Sequence, residues 1–145
     1  MRILCVCTGN TCRSPMLAVL LDAALHSTGL NATVESAGTA AGRGDSASPG
    51  ALAAMARRGL DLSGHLSRPL ADLDLTRFER IFTVSSRHAA FVRAQGVPAE
   101  RISVVAADRG GVPDPWGGDD AAYEEAARTL EAEATRLAQS LSDPA

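Results

Sequence analysis

Short apolar runs alternate along this chain with longer stretches in which apolar residues recur every three or four positions. Residues 2–7 (Arg-Ile-Leu-Cys-Val-Cys) are a brief, largely apolar run with Gly9 close behind, the pattern of a buried strand. Leu17, Leu20, Leu21, Ala24 and Leu25 then mark one face of a helix, with Ser14 as the expected N-cap, Pro15 as its first residue and Gly29 as its stop. A second strand is expected over 32–37, ended by Gly38, and the Gly/Ala/Ser-rich stretch 40–49 reads as loop. Ser48-Pro49 opens a helix to about Arg58, stopped by Gly59. Residues 60–79 are mixed, with a short helix expected near Ala71–Phe78. Strands follow at 80–85 and 102–106, separated by a helix over 86–95 that Gly96 stops. Residues 108–118 hold four Gly and two Pro and must be loop, after which Asp119 or Asp120 caps a last helix to about Leu141.

Four strands thus alternate with four helices. That order predicts an α/β chain: a parallel sheet with helices on both faces, and ligands at the carboxyl ends of the strands. The length of 145 residues is expected to be one domain over 1–145. Apolar residues make up 46% and charged residues 21%, which excludes a disordered chain, a collagen and a coiled coil. No apolar run reaches the length of a membrane span, and Met1 leads directly into the first strand without a hydrophobic leader, so a cytoplasmic protein without membrane partners is expected. The net charge is −3, and all fourteen basic residues are scattered Arg, so no nucleic-acid surface is indicated. Three Cys at 5, 7 and 12 form no disulfide framework and fit a reducing compartment.

The loop Cys7-Thr8-Gly9-Asn10-Thr11-Cys12-Arg13-Ser14 joins the first strand to the first helix. Backbone N–H groups there can converge on one centre, and the helix dipole adds positive potential. Gly9 and Asn10 tolerate the left-handed backbone that a tight cradle needs. Arg13 at a helix N-terminus opposes the macrodipole, at a cost of about 0.3–1 kcal/mol, unless an anion lies between it and the amides. Guanidinium grips two phosphate oxygens at once. A thiol at the base of such a cradle is favoured as thiolate, a nucleophile at neutral pH, and the Ser14 hydroxyl can donate to it. Cys5, inside the strand, reads as a small buried apolar residue. Cys12 reads either as packing or as the partner of Cys7 in a reversible disulfide.

Val6-Cys7-Thr8-Gly9-Asn10-Thr11-Cys12-Arg13-Ser14-Pro15-Met16 resembles the signature loop of the low-molecular-weight protein tyrosine phosphatases, bacterial members above all, and the resemblance extends over essentially the whole chain. It implies a three-layer α/β/α sandwich with strand order 2-1-3-4 and the phosphate loop after strand one. In Val112-Pro113-Asp114-Pro115-Trp116-Gly117-Gly118 the residues alone fit a plain Pro-Asp-Pro turn or an acid held between two stiff prolines. The resemblance implies that Asp114 is the general acid and Trp116 a wall of the substrate slot. It also implies that Ser36 and His65 brace Asn10. His88 and His26 read as surface or core histidines, and Tyr123 as packing or surface. The family usually has Ala-Glu where this chain has Leu17-Ala18, and often a Met where it has Val84-Ser85.

The expected reaction is metal-independent and cofactor-free hydrolysis of a phosphorylated protein. Cys7 attacks, Arg13 with the amides of Thr8–Arg13 stabilises the phosphoryl oxygens, and Asp114 protonates the leaving group. Phosphate or a similar oxyanion is the expected loop ligand, and the chain is expected to be a monomer or weak dimer. Phosphotyrosine is the first-ranked substrate. Phosphoarginine is its rival, because Thr11 stands where most tyrosine phosphatases carry a branched aliphatic residue and a hydroxyl can accept from a guanidinium. An arsenate reductase using an external thiol and a pure phosphate-binding module are further alternatives. The first is disfavoured by Asp114 with Trp116, the second by Cys7 and Asp114 together.

Overall fold

The computed structural model describes residues 1–143. The apolar run at the N-terminus forms β1 (Arg2–Cys7), followed by α1 (Arg13–His26), β2 (Thr33–Gly38), α2 (Pro49–Ala56), β3 (Arg80–Thr83), α3 (Ser86–Ala94), β4 (Ile102–Val104) and α4 (Asp120–Ser142). The four strands are parallel in the order β2-β1-β3-β4. β1 lies between β2 and β3, with Cys7 opposite Gly38 and Val6 opposite both Ala37 and Thr83. The chain therefore runs outward from β1 to β2 and then crosses back to β3, so the crevice where strand order reverses opens at the carboxyl end of β1.

Alternation along β1 divides the interior. Ile3, Cys5 and Cys7 face one core with Met16, Leu17 and Leu21 of α1, Met55 of α2 and Leu130 of α4. Leu4 and Val6 face the other, with Ala37, Ile81, Phe78, Leu70 and Val92 of α3. Such period-two burial on both faces is what a parallel strand covered by helices requires. Three helices thus lie on one side, and α3 with the 70–78 segment on the other. Among the described residues no helix is long and apolar enough to cross a membrane.

Four local expectations are corrected. Ser14 is not the cap of α1: the helix begins at Arg13 with Cys12 in the cap position, and no side chain caps it. Pro15 still sits in the first turn, where a missing N–H is harmless. The helix expected near Ala71–Phe78 is two 3₁₀ turns, Leu70–Asp72 and Leu75–Arg77, parted by extended Leu73. The Asp74 side chain accepts from the Thr76 N–H and starts the second turn. β3 ends at Thr83, and Ser85 caps α3 by accepting from the His88 N–H. β4 stops at Val104; Ala106 is left-handed (φ 55°), and its N–H is bonded to Glu133 Oε1 at 2.5 Å. The remaining caps are as expected in position: Ser48 stands before α2, and Asp119 caps α4 by accepting from the Ala122 N–H at 3.0 Å.

Two contacts set what the fold tolerates. A Cβ on Gly38 would lie 2.3 Å from the Thr8 carbonyl oxygen and 2.7 Å from Ala41 Cβ. Gly38→Ala is expected to cost about 1–3 kcal/mol, the usual penalty for forced overpacking, read by urea denaturation. At the junction of α2 and α4, Glu124 receives Arg58 Nη1 at 3.0 Å, Arg58 Nη2 at 2.5 Å and Arg57 Nε at 3.1 Å. Hydrogen bonding to Arg58, then to Arg57, holds the Glu124 carboxyl down to about 2. A carboxyl lowered by folding stabilises above its unfolded value, about 4.3, and loses that contribution as pH falls toward the folded value. Glu124→Gln is therefore expected to be less stable than wild type at pH 7 by no more than about 1 kcal/mol, given the pair's partial exposure. The gap should narrow steadily between pH 5 and pH 3 in the same denaturation assay.

Candidate active site

The loop after β1 is built by turning its carbonyls outward. Thr39 N–H donates to the Cys7 carbonyl at 2.9 Å, Ala40 N–H to Thr8 at 3.0 Å, and Ser48 N–H to Thr11 at 2.9 Å. His65 Nε2 lies 2.6 Å from the Asn10 carbonyl oxygen and so carries a proton. Because N–H and C=O point to opposite sides of a peptide plane, these outward carbonyls aim loop amides at the centre. The result is a nest of donors at a helix N-terminus, suited to an anion.

Asn10 fixes the loop's shape. It is fully buried and left-handed (φ 58°). Its Oδ1 accepts from the Arg68 N–H at 3.0 Å, which settles the amide's orientation. Its Nδ2 then donates to Ser14 Oγ at 2.8 Å and to Ser36 Oγ at 3.0 Å. Ser14 Oγ lies 2.9 Å from Cys7 Sγ. With Asn10 donating to the Ser14 oxygen, the Ser14 hydrogen has two acceptors in reach, the Cys7 sulfur at 2.9 Å and the Ala37 carbonyl at 3.5 Å. Both of the residues expected to brace Asn10 touch it, Ser36 at the side chain and His65 at the backbone rather than the amide.

Arg13 is buried to 5% exposure at the start of α1. Its Nη1 donates to the Val112 carbonyl at 2.9 Å, and its Nη2 lies 3.5 Å from Asp114 Oδ2. Its Nε is buried without a hydrogen-bond partner. An unmet buried donor costs about 1–3 kcal/mol, which an oxyanion on that edge relieves. Asp114 is half exposed, and its Oδ1 accepts from the Trp116 N–H at 3.1 Å. Trp116 is 72% exposed. Cys7, Thr8, Gly9, Asn10, Thr11, Cys12, Arg13, Asp114 and Trp116 together line a cavity of about 190 Å³. Wider hollows of about 570 and 720 Å³ lie elsewhere, but neither contains a thiol. Chemistry, not size, marks the site.

The three thiols are free and differ in setting. Burial, and secondarily Cys7, pushes the Cys5 thiol far above its ordinary range, so it is inert. Cys12 Sγ lies 3.2 Å from Ser48 Oγ and 3.4 Å from the Tyr123 hydroxyl. Tyr123 is buried against Gly50, where any Cβ would fall 2.3 Å from its ring. Tyr123 therefore packs, as one of its two expected readings has it, and also reaches the phosphate loop. Two contacts were not anticipated from the sequence. His88 is buried, the core one of its two expected readings, and its Nε2 meets Thr8 Oγ1 at 2.7 Å, a contact with the loop that neither reading foresaw. Arg68 holds Asn10 through its main chain, with Nη2 on Glu35 at 2.8 Å and Nε on the Ser36 carbonyl at 3.0 Å. The signal for His88 was its place in the first turn of a helix at the carboxyl end of the strand beside β1.

Comparisons with known proteins agree with this architecture. The family model described as low molecular weight phosphotyrosine protein phosphatase matches residues 2–144. A protein-arginine-phosphatase of Bacillus subtilis is 32% identical over 146 residues, 97% of each chain. A low molecular weight protein-tyrosine-phosphatase of Streptomyces coelicolor is 32% identical, covering 94% of this chain and 90% of its own. Among solved structures, the YwlE arginine phosphatase, in a mutant whose active-site serine is phosphorylated, superposes with a TM-score of 0.92 at 31% identity, covering 99% of this chain and 97% of that one. The chain belongs to the low molecular weight phosphotyrosine protein phosphatase family.

Proposed function

We propose that this chain is a protein phosphatase that transfers the phosphoryl group of a phosphotyrosine side chain to Cys7 and then to water. The observation that carries this reading is the meeting of Cys7 Sγ, the Ser14 hydroxyl 2.9 Å from it, the buried guanidinium of Arg13 and the Asp114 carboxyl at one small cavity. The phosphoryl oxygens lie on the loop amides and Arg13, which supply positive charge without a metal. The Cys7 sulfur attacks in line; the S–P bond forms as the bond to the tyrosine oxygen breaks. Asp114 gives its proton to that oxygen, whose conjugate acid has a pKa of about 10 and leaves poorly unaided. Asp114 then takes a proton from water as the water's oxygen displaces sulfur from phosphorus. The Ser14 hydrogen steadies the sulfur as nucleophile and as leaving group.

Phosphoarginine is the second reading, favoured by one observation. Thr11 lines the cavity, and among the described residues the only side-chain hydrogen-bond partner of its hydroxyl is the thiol of Cys12, at 3.7 Å. It is available to accept from a guanidinium, and the half-exposed Asp114 carboxyl can pair with the same group. A relative named for that activity matches nearly the whole chain.

Four experiments test these readings. Cys7→Ser is expected to abolish turnover while retaining oxyanion binding by calorimetry; full activity in that variant removes Cys7 from the reaction. In wild type, iodoacetamide should label Cys7 and spare Cys5, with inorganic phosphate protecting Cys7, as read by peptide mass spectrometry. Phosphate release from matched phosphotyrosine and phosphoarginine peptides ranks the substrates. Thr11→Ile is expected to lower phosphoarginine release relative to phosphotyrosine release by about tenfold, the worth of one polar contact. An unchanged ratio removes Thr11 as the discriminating residue.

A further inference from the structure

The His88 imidazole is buried between two hydroxyls. Ser85 Oγ lies 2.5 Å from its Nδ1, and Thr8 Oγ1 lies 2.7 Å from its Nε2. Ser85 Oγ also accepts the backbone N–H of His88 at 3.2 Å. A serine hydroxyl has one hydrogen. The Ser85 oxygen accepts at the helix cap, and in the Nε2–H tautomer of the ring the Ser85 hydrogen is donated to Nδ1. The neutral ring then carries its proton on Nε2 and donates it to Thr8 Oγ1. Thr8 has its acceptor role filled in turn, and its own hydrogen is left to point elsewhere. Thr8 lines the cavity beside Cys7 and Arg13, whereas His88 does not reach it. Burial first, then the cations of Arg13 and Arg87, hold the His88 ring down to about 4 against the opposing pull of Asp114, so it is neutral at working pH.

We propose that His88, set by Ser85, is a positioning residue that turns the Thr8 hydroxyl into an additional oriented hydrogen-bond donor to the bound phosphoryl group. The role rests on the phosphatase reaction assigned to Cys7. It adds a side-chain donor to a cradle otherwise made of amides and one guanidinium, and that donor is set by a residue in the first turn of α3, the helix that follows the strand beside β1. No group on α3 touches the substrate; its contribution passes through Thr8.

The test is a double-mutant cycle on the full chain, reading KM and kcat for an aryl phosphate and inhibition by inorganic phosphate. Thr8→Val and His88→Ala are each expected to raise KM and the phosphate inhibition constant about three- to tenfold, the net worth of one ordinary hydrogen bond. The double variant is expected to be no worse than Thr8→Val alone. His88→Gln, which keeps a terminal N–H donor, should recover most of the loss. Nitrogen-15 spectra of histidine-labelled wild type should show His88 as the Nε2–H tautomer. Full additivity of the two substitutions, unchanged phosphate inhibition in Thr8→Val, or an Nδ1–H tautomer overturns the role. The tautomer and Thr8→Val decide the matter even where His88→Ala fails to fold. A wild-type protein that binds phosphate but releases none removes the phosphatase reading itself, and this role with it.

Discussion

The structure depends on one buried side chain held in an uncommon backbone conformation. Asn10 sits in the left-handed region, where its carbonyl turns away from the cavity and its neighbours' amides turn toward it. A non-glycine residue stays there only when its surroundings over-determine it. Here Arg68, Ser36, Ser14 and His65 each hold a different polar atom or share one amide. Asparagine serves because its short amide offers both a donor pair and an acceptor, so one residue ties β2, the start of α1 and the 65–68 segment to the loop. Glycine would allow the same dihedral angles and lose every one of those side-chain bonds.

One residue joins the two loops that line the cavity. Arg13 is fixed at one end by the helix it begins, and its guanidinium joins the Val112 carbonyl and Asp114. The second loop is thereby set over the first without a covalent link. The same guanidinium has a buried Nε without a hydrogen-bond partner among the described residues, and Arg13 lines the cavity beside the loop. Positive charge is thus presented from two directions, one made of peptide dipoles and one of a side chain, and the thiol lies where both converge.

Much of this was legible in the sequence, and each exception has its own physical cause. The strand and helix alternation follows from hydrophobic period, because the two faces of β1 must each be buried. The loop is legible because Cys7, Arg13 and Ser14 keep a spacing that only a strand-to-helix turn brings together. Ser14 was misread as a cap by a sound local rule. Its hydroxyl is committed to Cys7 and Asn10, and the functional site overrides the local preference there. The 70–78 segment broke into two turns because Asp74 captures the Thr76 amide locally. His88 was invisible because its partner Thr8 is eighty residues away, and no local pattern records a contact closed only by the sheet.

The floor of the cavity and its rim are made differently. Cys7, Asn10, Arg13 and Ser14 are buried and cross-bonded, whereas Trp116 is mostly in solvent and Asp114 is half exposed. A change at Trp116 leaves the floor's hydrogen bonds intact, whereas a change at Asp114 removes its ion pair with Arg13; changes at the floor break several bonds at once. A lineage built on this plan can therefore explore new phosphorylated partners by drifting at the surface while its chemistry stays fixed, and relatives that act on different phosphorylated side chains are the divergence such a division of labour permits.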